Sequence, residues 1–255
     1  MKTILLCVLL YAYTTCNSQS LPFKPNMIDS NGLKHGEWIY YYDNDWNTLN
    51  DSINVSFYRL TNYKDSKPIG KVTDYYSDGG IQMQADSMIQ ENPDTYHGNL
   101  FFYSKLGRIH SVEFYNNGVM DTIKTIQIFE SLIEKYQKEI PTDLDLAQTA
   151  NDLAYLYRVQ GNYGLAEKYY EIAKNIRENR LGKSNLLYAH SCAKLGWVYL
   201  KQSRHLDAES LFLNSLRIYE NQLGKSSDRY RDVRDHLITI YKETNQDIKL
   251  KDLQY

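Results

Sequence analysis

The pattern of apolar and polar positions changes near residue 120. Residues 30–120 contain short stretches in which apolar and polar side chains alternate, separated by Gly, Asn and Asp. Residues 121–250 instead place apolar side chains at helical spacing, and no proline follows Pro141. Alternation predicts β-strands, and the longer period predicts amphipathic helices. The sequence therefore predicts an α+β fold, with an N-terminal antiparallel sheet of β-hairpins over 30–120 and a C-terminal helical array over 121–255.

The helical half repeats itself every 42 residues. The tetrapeptide Leu-Gly-Lys-Ser begins at Leu181 and again at Leu223. In the first copy, two apolar-periodic stretches over 144–159 and 163–180 flank a short turn. A single helical hairpin cannot bury its apolar face, so we predict that successive hairpins stack. The Gly of each tetrapeptide is predicted to end a helix. The same interval aligns three leucines and three tyrosines: Leu153, Leu195, Leu237, Tyr157, Tyr199 and Tyr241.

This unit resembles the tetratricopeptide repeat, in the 42-residue form found in kinesin light chain. The segment NDLAYLYRVQGNYGLAEKYYEIAKNIRENRLG, which begins at Asn151, resembles the family most closely, and 189–224 is a second copy. The third copy and the helix predicted over 121–138 are partial, so we expect them to act as caps. The resemblance implies a concave groove that is lined by the first helix of each hairpin. Such a groove binds a protein or peptide partner and needs no cofactor.

Matching positions of the resemblance place a set of side chains in that groove. Trp197 and Arg158 among them have the chemistry of interface anchors. The alternative at this point is that all of them are solvated positions of a purely structural array. The family's paired asparagines are reduced here to Asn151 followed by Asp152, so the resemblance does not extend to clamping of a peptide backbone. The set consists of Gln148, Asn151, Tyr155, Arg158, His190, Trp197, Lys201, Asp235, Thr239 and Lys242.

The sheet half has a repeat of its own. Gly36, Gly70 and Gly98 are each followed by a large apolar residue two positions later and a tyrosine five positions later. Each unit predicts a β-hairpin, and several hairpins are needed for a stable sheet. The pattern resembles the bacterial MORN repeat, G-x-W-x-x-Y-x-x-x-G, which implies an attachment or spacing module without catalysis. The long stretch 46–65 between the first two units alternates like a strand, and we expect an extra hairpin there.

The N-terminus has the features of an export signal. An apolar run from Ile4 to about Tyr13 follows Lys2 and is too short to span a bilayer. We therefore predict a signal peptide over 1–18, a linker over 19–29 and an exported protein, periplasmic or secreted. The alternative is cleavage before Cys16, which would leave a lipid-modified cysteine and anchor the protein to a membrane. Either cleavage leaves Cys192 without a disulfide partner in the mature chain, and we expect it to be a packing residue.

The net charge and the absence of known catalytic motifs argue against several classes of function. The formal net charge is −2, which gives no electrostatic case for nucleic-acid binding. The chain lacks H-E-x-x-H, C-x-x-C, G-x-S-x-G and the P-loop motif. The acidic stretch Asp43–Asp51 lacks the ligand spacing of a calcium loop, so we interpret it as a solvated turn. We predict a non-enzymatic interaction scaffold without catalytic, metal-binding or cofactor-binding residues. The alternative is a sensory or regulatory component of an envelope signalling system that lacks its own catalytic domain.

Overall fold

A computed structural model describes residues 26–50, 53–91 and 94–254 of the chain. Within these residues the predicted α+β architecture is confirmed, because an antiparallel sheet comes first and a helical array follows it. The predicted signal peptide over 1–18 and Cys16 lie outside the described residues. Export and lipid attachment therefore stay predictions.

Nine strands of the described residues form one antiparallel sheet. They are β1 (Met27–Ile28), β2 (Lys34–Tyr42), β3 (Thr48–Leu49), β4 (Phe57–Lys64), β5 (Lys67–Tyr76), β6 (Ile81–Gln90), β7 (Thr95–Tyr103), β8 (Ile109–Asn116) and β9 (Val119–Met120). Neighbours in the sheet follow chain order, except that β3 folds back on β2 and β2 then pairs with β4. The sheet is thus a series of hairpins.

The first glycine of each repeat unit has a conformational role. Gly36, Gly70 and Gly98 have φ angles of +69°, +70° and +90°. Residues with a Cβ atom rarely adopt this left-handed region, whereas glycine does so readily. At Gly98 an added Cβ would also lie only 2.7 Å from the Cβ of Asp86. The repeat therefore has glycine where the backbone of successive units takes the same left-handed conformation.

The stretch 46–65 does not form the expected extra hairpin in its described part. Residues Phe57–Lys64 form one full strand, β4, which lies between β2 and β5. Before it, Thr48 and Leu49 pair with the end of β2. A hairpin would need two strands of this stretch paired with each other, but β2 is the partner of both. The connection from β2 instead makes a turn that carries Trp46.

Seven helices follow within the described residues. They are α1 (Thr122–Glu139), α2 (Leu144–Val159), α3 (Tyr163–Leu181), α4 (Leu186–Lys201), α5 (His205–Leu223), α6 (Asp228–Glu243) and α7 (Asp247–Gln254). Packing between α2 and α3, between α4 and α5, and between α6 and α7 gives three helical hairpins. Gly182 and Gly224 follow α3 and α5 with φ angles near +80°, as the repeated tetrapeptide predicts.

Helices α1 and α2 pack on strand β8 and join the array to the sheet. Val112 of β8 is fully buried in the same apolar core as the helices. Directly before β8, Arg108 forms ion pairs with Asp143 at 2.7 Å and with Asp145 at 2.6 Å, at the start of α2. Asp143 is also the N-cap of α2. These four residues are called the sheet–helix joint below.

Candidate partner-binding groove

The first helices of the three hairpins, α2, α4 and α6, together line a cavity of about 370 Å³. Each helix contributes at least one charged side chain, and α5 contributes an aromatic ring. The apolar part of the lining comes from small or buried residues of α4 and α6. The charged and aromatic lining residues are Arg158, His190, Lys194, Trp197, Tyr219, Arg229, Asp232 and His236. This cavity is called the groove below.

Trp197 is the centre of an aromatic and cationic cluster at one side of the groove. The guanidinium carbon of Arg158 lies 4.6 Å from the centroid of its ring, and the Lys201 ammonium lies 5.2 Å from it. Tyr163 meets the same ring edge to face, with 6.0 Å between the centroids. Arg158 also lies 5.0 Å from the ring of Tyr155. Cations over aromatic faces are attracted by the ring quadrupole, so these contacts hold Arg158 in place.

His190 is neutral at physiological pH. Burial lowers the pKa of its ring to about 4, and the positive charges of Lys194, Arg177 and Arg229 act in the same direction. Burial also lowers the pKa of His236 across the groove. The desolvated imidazolium form is disfavoured in both cases. The positive charge of the groove at pH 7 therefore comes from its arginine and lysine side chains and not from these two histidines.

A buried cation lies beneath the groove. Arg177 of α3 is only 2% exposed and donates hydrogen bonds to Ser191 Oγ at 2.8 Å and to Gln148 Oε1 at 2.9 Å. Among the described residues, no carboxylate lies within ion-pair distance of it. Burial lowers its pKa, and the charge of Asp152 opposes that shift. A charge that has no direct counter-ion adds to the positive potential of the groove above it.

The structure brings part of the predicted binding set together. Arg158, His190 and Trp197 line the groove. Lys201 is exposed and reaches the groove through its contact with the Trp197 ring. Four of the ten predicted residues, all from α2 and α4, thus lie in or beside one cavity.

The other predicted residues lie elsewhere. Tyr155 lines a separate cleft of about 300 Å³ between β8, α1 and α2. The Asn151 amide donates to its neighbour Asp152 at 3.2 Å, inside the array. Asp235 and Thr239 are exposed on α6 and do not line the groove. In α6 the groove is lined about one turn nearer the N-terminus than the sequence reasoning placed it.

Sequence reasoning missed Lys194, Arg229, Asp232 and His236. The 42-residue period contains the signal for two of them, because it carries His190 to Asp232 and Lys194 to His236. Both residues of α6 lie on the groove side of that helix. Arg229 has no such signal, since its equivalent position in the second copy is Leu187, an exposed apolar residue.

The described residues contain no metal cluster, no reactive cysteine and no helix that could cross a membrane. No group of three or more His, Cys, Asp or Glu side chains there could hold a metal ion. Cys192 is buried, and burial raises the pKa of its thiol, which disfavours the reactive thiolate. No described helix is both long and apolar enough to cross a bilayer.

Comparison with known proteins gives a match in the helical region. The tetratricopeptide repeat family model matches residues 145–221, from the first turn of α2 to the last turns of α5. This part of the chain is therefore similar to tetratricopeptide repeats, which serve in other proteins as interaction scaffolds. No curated protein matches the sequence. The MORN resemblance of the sheet stays a prediction.

Two solved structures are similar to about half of the chain. BtubC (BKLC) from P. vanneervenii has 20% identity and a TM-score of 0.47, over 52% of this chain and 53% of that chain. A kinesin-light-chain-like protein from Podosopora anserina, with nearly identical TPR-like repeats, has 16% identity and a TM-score of 0.48, over 52% of this chain and 63% of that chain. The chain therefore spans less than two thirds of the length of either structure.

Proposed function

We propose that this protein is an exported, non-enzymatic scaffold whose groove binds an acidic segment of a partner protein. The sheet serves as an attachment or spacing module. The tetratricopeptide repeat region supports the interaction role. The N-terminal sequence supports export, and the MORN resemblance supports the role of the sheet. The excess of positive charge in the groove is the observation that carries the choice of partner.

The charge of the groove follows from its lining. Arg158, Lys194 and Arg229 supply three positive charges, and Asp232 supplies one negative charge. His190 adds none at pH 7 because its pKa is about 4. Two positive charges are thus in excess, although the whole chain has a formal net charge of −2. An acidic segment is attracted to this site, and a basic one is repelled.

The Trp197 cluster supplies the apolar contact that charge alone cannot give. The ring is partly exposed and held between Arg158 and Lys201. Tryptophan and arginine are the residues most often found at the energetic centre of protein interfaces. An apolar side chain flanked by carboxylates fits this cluster, because the ring takes the apolar group and the two cations pair with the acids.

The proposal is tested with two peptide libraries of equal length. In one, a central apolar residue is flanked by Asp and Glu, and in the other the acids are replaced by Asn and Gln. We expect the mature chain to bind members of the acidic library only, with affinity that falls as salt rises. Replacing Trp197 by Ala is expected to weaken binding about thirtyfold, the loss typical of a central interface residue. Fluorescence polarisation measures both effects.

The matched control is Arg217→Ala, which removes an exposed arginine of α5 outside the groove. Arg158→Ala should weaken binding and Arg217→Ala should not, although each removes one positive charge. Equal binding of the acidic and amide libraries would refute the acidic partner. The same affinity for both arginine variants would show that the groove is not the site. A pull-down from the envelope fraction with wild type and the Arg158→Ala, Trp197→Ala double variant then identifies the natural partner.

Export is tested separately by mass spectrometry of the mature N-terminus. Expression of the full sequence in a bacterial host should release a chain that begins after Ser18. A chain that begins at a lipid-modified Cys16 would instead support the membrane-anchored alternative. An uncleaved Met1 in the cytoplasmic fraction would refute export altogether.

A further inference from the structure

The sheet carries a cavity of about 440 Å³ that is separate from the groove. It is formed where β2, β4 and the connection between β6 and β7 approach one another. None of its lining residues takes part in the groove or in the sheet–helix joint. Its charged and aromatic lining residues include Lys34, Tyr42, Trp46, Arg59, Glu91 and Asp94.

Trp46 is presented to this cavity by a strained turn. Its φ angle is +62°, in the left-handed region that bulky residues rarely occupy. The turn is held by Asp43, whose backbone and carboxylate both bond to Asn47. Phe57 stacks on the Trp46 ring with centroids 4.6 Å apart and planes 4° from parallel, and Tyr42 meets the ring at 5.4 Å. Trp46 as a whole remains 41% exposed. Strain that holds a large aromatic ring at a cavity points to a function.

The charged groups of the cavity are paired with one another. Lys34 pairs with Glu91 at 3.1 Å, and Arg59 pairs with Asp94 at 2.6 Å. Arg59 also makes a bidentate pair with the buried Asp74, at 2.7 and 2.9 Å. Both cations of the lining are thus paired with carboxylates, and no unpaired cation remains in it. These pairs fix the charged groups in position and leave carboxylate lone pairs as hydrogen-bond acceptors.

Charge and polarity together select the ligand class. Lys34 and Arg59 are already paired with carboxylates, so an ionic ligand would have to break an existing ion pair in order to bind. A purely apolar ligand would have to desolvate all four charged groups without bonding to them. A neutral ligand with one apolar face and many hydroxyl groups satisfies each of these conditions. A pyranose ring has that shape, since its C–H face stacks on an aromatic ring and its hydroxyls both donate and accept.

We propose that this cavity binds a neutral sugar ring of a glycan. The sugar stacks on the Trp46 indole, and its hydroxyls bond to Tyr42, Glu91 and Asp94. No described residue hydrogen-bonds to the Tyr42 hydroxyl. That hydroxyl is therefore placed to bond a ligand. The inference concerns the sheet alone and does not depend on the proposed function of the groove.

Isothermal titration of the mature chain with four tetrasaccharides tests the proposal. The probes are cellotetraose, maltotetraose, chitotetraose and mannotetraose, and choline chloride and inorganic phosphate serve as charged probes. At least one tetrasaccharide is expected to bind, and neither charged probe should compete with it. Binding of none of the four, or competition by choline or phosphate, overturns the assignment to a neutral sugar.

Two variants locate the site. Trp46→Asn removes the ring but keeps a residue that tolerates the left-handed conformation, so the turn is retained. It should lose about tenfold or more in affinity. Tyr42→Phe removes only the hydroxyl and should lose roughly two- to tenfold. Leu106→Asn, at an exposed turn position between β7 and β8, is the control and should bind like wild type. Unchanged binding by Trp46→Asn, with an unaltered far-UV circular dichroism spectrum, refutes the site.

Discussion

His190 makes the stability of the helical array depend on pH in a defined window. Its pKa is lowered from 6.5 to about 4 in the folded protein, first by burial and then by neighbouring cations. The unfolded chain therefore binds a proton at His190 at a higher pH than the folded chain does. Stability from this residue is complete above pH 6.5. It falls as the pH drops below that value, and the loss ends near pH 4.

The size of the effect follows from the shift. One pKa unit corresponds to about 1.36 kcal/mol, so the full shift is worth about 3 kcal/mol below pH 4. At about pH 5 the unfolded residue is largely protonated and the folded one is not, and the loss is about 2 kcal/mol. For a chain of this length, that corresponds to a fall in Tm of about 4–8 °C.

The assay compares urea unfolding of wild type and His190→Gln at about pH 8 and pH 5. Glutamine stays neutral, so the wild type should lose about 2 kcal/mol more than the variant between the two conditions. The other charged groups around the groove are the same in both proteins, so their contributions cancel in this comparison. His205→Gln, at an exposed ion pair with Glu243, controls for the loss of a histidine. Equal pH dependence of wild type and His190→Gln would refute the buried neutral imidazole.

Three further changes test other parts of the structure by the same unfolding assay. Asp74→Ala should lower the free energy of unfolding by about 3–5 kcal/mol, because it leaves Arg59, which is 6% exposed, without its bidentate partner. A loss below about 1 kcal/mol, as expected for a surface ion pair, would contradict this. Gly98→Ala should cost more than about 1 kcal/mol because an L residue is strained at that φ angle, and an unchanged midpoint contradicts it. The fragment 121–255 should be about 2–3 kcal/mol less stable than the full chain, because it loses Val112 from the core. Equal stability of the two would show that the sheet and the helical array are independent domains.

Helix bounds were predictable from sequence to within one or two residues. The predicted stretches 144–159 and 163–180 correspond to α2 (Leu144–Val159) and α3 (Tyr163–Leu181). Apolar side chains recur there at a constant helical period, and Asn162 caps α3 where the turn was expected. Local rules act within one helix and its caps, so one sequence suffices to read them.

The sheet and the groove were less predictable because they depend on residues distant in sequence. The sequence predicts an extra hairpin where the structure has the single strand β4, because alternation predicts that a strand exists but not which strand it pairs with. The pairs of the sheet cavity join Lys34 to Glu91 and Arg59 to Asp94, across 57 and 35 residues. No periodicity links such positions. In the groove, the 42-residue period relates Asp232 to His190. The period alone does not determine which turn of a helix faces a cavity.

The sheet–helix joint determines how the two proposed sites act together. Helix α2 carries Arg158 of the groove, and its first turn is fixed to the sheet by the ion pairs of Arg108. Val112 adds a fully buried apolar contact between the sheet and the helices. The groove has an excess of positive charge, whereas both cations of the sheet cavity are paired with carboxylates, so the two sites do not compete for one ligand. A sugar bound on the sheet would therefore hold the groove near the glycan-bearing surface and raise the local concentration of partners found there, which neither site achieves alone.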